Sequence, residues 1–145
     1  MGSSKPVLLV EDDHLDAMIV KRALDDLKVT NKLVHTTNGE EALEYMRNKE
    51  SEKPCLVLLD LNMPKTNGVE FLRIVKADEV LKRTPVVVLT ASTEEQDVIE
   101  TFKLGVAGYI VKPVDYMRFV EAMRTVTLYW TLCEFPDKEQ TSAAG

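Results

Sequence analysis

An alternation repeated five times constrains this chain more than any other feature. Short apolar runs, Val7–Val10, Leu33–Val34, Leu56–Leu59, Val86–Leu89 and Gly108–Val111, are separated by segments with helical spacing. Three of these runs are four consecutive residues drawn from Val and Leu. That is the composition of strands covered on both faces rather than on one. Residues 15–28 place Leu15, Ile19, Ala23 and Leu27 four apart, and residues 39–48 place Ala42, Leu43 and Met46 on one face behind Asn38-Gly39. Residues 67–77 carry Val69, Leu72, Ile74 and Val75. Residues 93–104 open with the capping box Thr93-Glu94-Glu95-Gln96 and continue through Val98, Ile99 and Phe102. Residues 115–132 open at Asp115, a good N-cap, just after Pro113. Strands separated by helices of about 10–15 residues predict five βα units, a parallel sheet with right-handed crossovers and helices on both faces.

Composition narrows the function. The 145 residues suit one domain, at about 100–200 residues per domain. The expected division is a flexible N-terminus over 1–4, a folded body over 5–132 and a tail over 133–145, polar and small from Asp137 onward. Eighteen Lys and Arg against 24 Asp and Glu leave a net charge of −6. That argues against a protein held by basic patches to nucleic acid or to an anionic membrane. Cys55 and Cys133 are too few for a disulfide framework and suit a reducing, cytoplasmic setting. No apolar run approaches the roughly 20 residues that span a bilayer, and no signal-peptide pattern is visible. Met1-Gly2-Ser3-Ser4 opens like a myristoylation site, but Pro6 stands where that motif needs Ser or Thr.

In an open α/β sheet, ligands bind at the carboxyl ends of the strands. There the sequence places Glu11-Asp12-Asp13 after strand 1, Asp60-Leu61-Asn62-Met63-Pro64 after strand 3, Thr90-Ala91-Ser92 after strand 4 and Lys112-Pro113 after strand 5. Thr36-Thr37-Asn38-Gly39, after strand 2, is uncharged. Each group alone has an ordinary explanation: acids cap helices, a threonine ends a strand, a lysine is solvated. Their conjunction at one sheet edge points to chemistry. Clustered carboxylates favour a hard, oxygen-loving cation such as Mg²⁺. Thr90, the N–H of Ala91 and Lys112 suit a phosphoryl group. An aspartate between a metal and a lysine is a plausible covalent phosphoryl acceptor.

The same residues carry a family resemblance. Leu8-Leu9-Val10-Glu11-Asp12-Asp13, Leu56 to Pro64 with Asn67-Gly68, Val86 to Ala91, and Gly105 to Pro113 together resemble the response-regulator receiver domain of two-component signalling, over roughly residues 5–132. The resemblance implies a flavodoxin-like, doubly wound five-stranded sheet of order 2-1-3-4-5. It implies that Asp60 accepts a phosphoryl group from a sensor histidine kinase. Glu11 and Asp12, Asp60 and the main-chain carbonyl of Asn62 would hold Mg²⁺, with Asp13 an extra acid beside the usual pair. Thr90, Ala91 and Lys112 would bind the phosphoryl group, and Pro113 would be cis. Thr90 and Tyr109 would form the switch that remodels the face of the fourth predicted helix, the fifth strand and the last helix. The resemblance implies a phosphoryl-accepting switch or phosphorelay member rather than an enzyme. Asn62 and Ser92 stand at positions resembling those that tune phosphoryl lifetime. His14 reads as a helix-start residue near acids, and nothing marks His35, on strand 2, as a phosphodonor.

The last helix adds a second expectation. Tyr116, Phe119, Val120, Met123, Val126 and Trp130 form a core stripe, yet Met117, Leu128, Tyr129, Leu132, Cys133 and Phe135 make its end apolar nearly all round. Such an end needs cover, either from a folded-back tail or from a homodimer through Leu128, Tyr129, Leu132 and Phe135. The Leu-Tyr-Trp-Thr-Leu ending and Lys112-Pro113-Val114-Asp115 resemble the single-domain regulators that partner bacterial phytochromes. Two alternatives compete: a pseudo-receiver that works as an interaction module without phosphorylation, and a small Mg²⁺-dependent aspartyl phosphatase. The phosphatase reading lacks the second acid of an Asp-x-Asp, since Asn62 stands there.

Overall fold

β1 (Val7–Val10) is the centre around which the chain winds. It pairs in parallel with β2 (Leu33–Thr36) on one side and β3 (Leu56–Leu59) on the other. β4 (Val86–Thr90) and β5 (Gly108–Val111) extend the sheet to the order β2-β1-β3-β4-β5. The computed structural model describes residues 5–61, 68–90, 103–111 and 115–132, with Thr90, Val111 and 127–132 described through their backbone alone. Most of the helix expected over 93–104 lies outside the described residues.

Strand periodicity divides the core in two. Val7, Leu9, Leu56, Leu58, Val87 and Leu89 point to one face, where α1 (His14–Asp26) and the C-terminal helix (Tyr116–Leu132) cover them. Leu8, Val10, Val57, Leu59, Val86 and Val88 point to the other, beneath α2 (Gly39–Arg47) and α3 (Gly68–Ala77). Every residue of β1 and β3 is buried, as their unbroken apolar runs require. β2 runs two residues beyond the expected Leu33–Val34, through His35 and Thr36. It is an edge strand, so its faces need not be wholly apolar, and Thr36 donates its hydroxyl hydrogen to the carbonyl of Leu9 at 3.1 Å.

The helices begin where capping chemistry allows. Asp13 precedes α1, and its carboxylate accepts the N–H groups of Leu15 and Asp16 at 2.8 and 3.1 Å. Asn38 does the same for α2 through Glu41 at 2.9 Å. The α2 stripe lies where expected, with Ala42, Leu43 and Met46 buried. In α3, Phe71 is fully buried beside Leu72 and Val75, an anchor the spacing argument did not single out.

The stripe expected on α1 needs correction. Leu15 and Ile19 are 71 % and 44 % exposed, while Ala17, Val20, Ala23 and Leu24 are buried. The helix is rotated so that Leu15, Met18 and Ile19 face outward. The C-terminal helix buries Phe119, Val120 and Met123 as expected, with Met117 exposed. It is tied to α1 by Tyr116, whose hydroxyl donates to Asp26 at 2.7 Å while the Arg22 guanidinium lies 4.7 Å from its ring centroid. Cys55 is buried, and its thiol donates to the Lys5 carbonyl at 3.6 Å. No helix among the described residues is long and apolar enough to cross a membrane.

Candidate functional site

The register of the sheet builds the site. Val10 stands opposite Leu59 where β1 meets β3, so Glu11 and Asp60, the residues that follow, emerge side by side at the carboxyl edge. Their backbones are locked to the sheet: the Glu11 N–H donates to the Thr36 carbonyl and the Asp60 N–H to the Val10 carbonyl, both at 3.0 Å. Carboxylate oxygens of Glu11, Asp12 and Asp60 lie within 4.8 Å of one another. Among the described residues no other group of three or more His, Cys, Asp or Glu side chains converges in this way. Glu11 is wholly buried and Asp60 nearly so, whereas Asp12 is open to solvent.

This geometry suits a hard divalent cation. All the donors are carboxylate oxygens, three charges crowd into one ligand shell, and one side stays open for waters or a substrate oxygen. Crowded carboxylates repel one another, and a cation among them relieves that repulsion. The residues present therefore fit a divalent metal. Asp13 is not part of the group, because its carboxylate caps α1. Its own N–H donates to the Glu11 carboxylate at 3.2 Å and helps to orient it. Of the three consecutive acids, one is thus a cap and two face Asp60.

Sequence reasoning assigned no role to two neighbours that the structure brings in. The His35 ring lies with Nε2 2.8 Å from the Glu11 carbonyl. A carbonyl only accepts, so that nitrogen carries the proton, and the ring braces the strand end from which Glu11 departs. The His14 ring tilts against His35 with centroids 6.3 Å apart. The second neighbour is Gly68, whose N–H donates to the Leu61 carbonyl at 3.2 Å. A Cβ there would lie 2.5 Å from Leu61 Cα and 2.8 Å from the Asp60 carbonyl oxygen. The start of α3 therefore presses directly on the main chain that carries Asp60. A glycine at the start of the helix expected over 67–77 was visible in the sequence, but its contact with residues seven and eight positions earlier was not.

The remaining expected residues fall as follows. Thr90 ends β4 and pairs through its backbone with Val111 at the end of β5, at the same edge of the sheet as the acids. Asn62, Ala91, Lys112, Pro113 and Phe135 lie outside the described residues, as do the side chains of Thr90, Leu128, Tyr129 and Leu132. Tyr109 is half-buried on β5 and packs against the core beneath α2 and α3.

A fold of order 2-1-3-4-5 with three acids at the carboxyl edge defines a class, and comparison with known proteins agrees. The model of the response regulator receiver domain matches residues 7–124. The chain is 36 % identical over 127 residues to a probable methanogenesis regulatory protein, FilR2, of Methanothrix harundinacea, covering 86 % of this chain and 82 % of that protein. It is 35 % identical over 130 residues to the response regulator Rcp1 of Synechocystis sp., covering 87 % and 88 %. The crystal structure of the Mn²⁺-bound form of Rcp1 superposes with a TM-score of 0.80 at 32 % identity, covering 97 % and 99 %. That of the phosphorylated cyanobacterial phytochrome response regulator RcpA does so with 0.81 at 35 % identity, covering 88 % and 94 %. The chain belongs to the response regulator receiver domain family, and its relatives include single-domain, phytochrome-associated regulators. Receiver domains are phosphoryl-accepting switches that bind divalent metal and take histidine kinases as partners.

Proposed function

We propose that this chain is a Mg²⁺-dependent phosphoryl-accepting switch with Asp60 as the acceptor. The observation that carries the reading is the convergence of Glu11, Asp12 and Asp60 within 4.8 Å. Glu11, Asp12, Asp60 and the main-chain carbonyl of Asn62 hold the cation, which when bound supplies positive charge against that of the incoming phosphoryl oxygens. An Asp60 carboxylate oxygen attacks the phosphorus of a phosphohistidine on a sensor kinase. The new P–O bond forms as the P–N bond breaks, and the imidazole leaves and takes up a proton from water. Thr90, the N–H of Ala91 and Lys112 then bind the phosphoryl oxygens.

The added charge biases a two-state element. Thr90 moves toward the phosphoryl group and Tyr109 turns inward, which alters the face around β5 and the C-terminal helix. Tyr109 already packs beside the α2–α3 core, where an inward turn has apolar cover. Pro113 is cis in this reading, holding Lys112 toward the acids. The body spans 5–132 between a flexible N-terminus (1–4) and a tail (133–145), pairs as a homodimer through Leu128, Tyr129, Leu132 and Phe135, and works in the cytoplasm. Its kinase is a phytochrome, a reading supported by the likeness to RcpA. Output is by protein contact or phosphorelay.

The test is intact-protein mass after incubation with acetyl phosphate, with and without Mg²⁺, beside Mn²⁺ binding followed by electron paramagnetic resonance. The expected result is a Mg²⁺-dependent gain of one phosphoryl group that Asp60→Asn abolishes. An adduct that survives in Asp60→Asn removes Asp60 as acceptor. No adduct and no Mn²⁺ binding make the chain a phosphorylation-independent module.

A further inference from the structure

The three acids are held in different ways. Glu11 and Asp60 both start from bonds of the sheet, their N–H groups donating to the Thr36 and Val10 carbonyls at 3.0 Å. The Glu11 carboxylate also accepts the Asp13 N–H at 3.2 Å. Asp12 lies beyond the ladder between β1 and β2, whose last pair is Val10 with Thr36. It is exposed, whereas Glu11 is wholly buried. The direction in which Asp12 leaves the sheet is set by the peptide unit that joins it to Glu11, because a planar peptide carries its carbonyl and its N–H as one rigid piece.

His35 holds that piece. Its Nε2 donates to the Glu11 carbonyl, the oxygen of the peptide between the two acids, at 2.8 Å. Consecutive residues of β2 therefore grip Glu11 at both ends of its backbone: the Thr36 carbonyl takes its N–H and the His35 ring takes its carbonyl. His14, the first residue of α1, lays its own ring against that of His35, with centroids 6.3 Å apart and planes at 46°. On the far side of Asp12 the chain is fixed again. The Asp13 carboxylate accepts the N–H groups of Leu15 and Asp16, and the Asp13 carbonyl accepts that of Ala17 at 3.0 Å. Asp12 thus stands between two anchors, the His35 bond before it and the α1 cap after it.

We propose that His35 is a positioning residue of the metal site, acting through the Glu11–Asp12 peptide to set how Asp12 meets the cation it shares with Glu11 and Asp60. The inference rests on the reading of these three acids as metal ligands. Glu11 is buried and bonded to the sheet, so it needs little further help. Asp12 is exposed, and without the His35 bond its approach to the cation is one of several that the turn into α1 allows. Ordering an exposed ligand before the metal arrives removes part of the entropy lost on binding. Groups that orient metal ligands by hydrogen bonding change metal affinity by about 10–100-fold. A single bond acting on one ligand through the main chain falls at the low end, about tenfold.

The experiment titrates the full-length parent, His35→Ala and His35→Gln with Mn²⁺, followed by electron paramagnetic resonance. Metal-free urea denaturation and the metal-free amide spectrum of the ¹⁵N-labelled proteins are recorded beside it. His35→Ala is expected to bind Mn²⁺ about tenfold more weakly and to shift the Asp12 amide. Its urea midpoint should stay near that of the parent, because the ring is exposed on an edge strand. His35→Gln, whose amide nitrogen keeps a donor at similar reach, is expected to restore both the affinity and the Asp12 amide. Equal affinity in the parent and His35→Ala overturns the inference and leaves the metal reading standing. A glutamine variant as weak as the alanine one overturns the donor role. An Asp12 amide that does not move in His35→Ala overturns the route through the peptide. A fall in affinity matched by a large fall in the urea midpoint makes the role merely structural and overturns it as well. A parent that binds no Mn²⁺ overturns the metal reading itself, and this inference with it, before any variant is compared.

Discussion

Replacing Gly68 with alanine tests how tightly the acceptor is held from behind. Non-bonded carbons settle about 3.5–4.0 Å apart. The new Cβ would stand 2.5 Å from Leu61 Cα, 2.8 Å from the Asp60 oxygen and 3.1 Å from the Leu61 carbonyl carbon. The shortfall is about 1 Å at the first contact, and all three atoms are main chain, so no rotamer relieves it. Overpacking of this kind costs about 1–3 kcal/mol. Alanine's better helix propensity returns at most about 1 kcal/mol. Gly68→Ala should therefore lose up to about 2 kcal/mol, which at a urea slope of about 1–3 kcal/mol/M moves the midpoint down by as much as about 0.7–2 M. The atoms that must yield carry Asp60, so Mn²⁺ affinity should fall as well. Gly108→Ala is the control, because its Cβ meets Val87 methyls at 3.6 and 3.7 Å, an ordinary contact. An unchanged or raised urea midpoint for Gly68→Ala would refute the argument that helix and acceptor backbone are in forced contact.

Three further outcomes follow from the acids. Asp60→Asn removes one of three crowded charges, so metal-free thermal melting should rise by about 2–5 °C. Saturating Mg²⁺, worth about 2.7 kcal/mol to the parent at one hundred times its dissociation constant, should no longer stabilise the variant. Asp13→Ala removes the α1 cap and should cost about 1 kcal/mol by urea denaturation, while Mn²⁺ titration finds the metal site unchanged. Asp78 is held below its ordinary value chiefly by the N–H groups of Leu81 and Val80. A depressed carboxyl contributes stability above its unfolded value and loses it as pH falls through the folded one. Asp78→Ala should thus be less stable than the parent at neutral pH, and the gap in urea midpoints should close in acid, below about pH 4.

What the sequence disclosed of the site follows from register. A parallel sheet with β1 and β3 as neighbours brings the residues after Val10 and Leu59 to one edge, so acids 49 positions apart in the chain could be grouped from the pattern alone. Which of Glu11, Asp12 and Asp13 face Asp60 was less legible, since a capping aspartate and a metal-ligating one have the same composition. The outcome was decided by where α1 begins: with His14 as its first residue, Asp13 is its cap. The tether from His35 to the Glu11 carbonyl and the pressure of Gly68 on Asp60 left no trace in spacing, because both are contacts between separate segments.

The α1 stripe shows the limit of periodicity. Leu15, Ala17, Met18, Ile19, Val20, Ala23, Leu24 and Leu27 spread around most of the helix, so two stripes fit. One runs through Leu15, Ile19, Ala23 and Leu27; the other runs through Ala17, Val20, Ala23, Leu24 and Leu27. They share two members, and amphipathicity does not choose between them. The rotation of the helix against the sheet chooses, and it is set by the turn from β1 through Asp13. The two stripes make opposite energetic predictions. Leu24 is 4 % exposed in the core with Leu9 and Leu58, so Leu24→Ala should cost about 2–5 kcal/mol. Leu15, at 71 % exposure, has nothing comparable to lose, and Leu15→Ala should stay within about 0.5 kcal/mol of the parent. Paired urea denaturation decides between them. A large loss at Leu15 with little at Leu24 would restore the four-apart stripe and mean that α1 is rotated by roughly a quarter turn from the packing described.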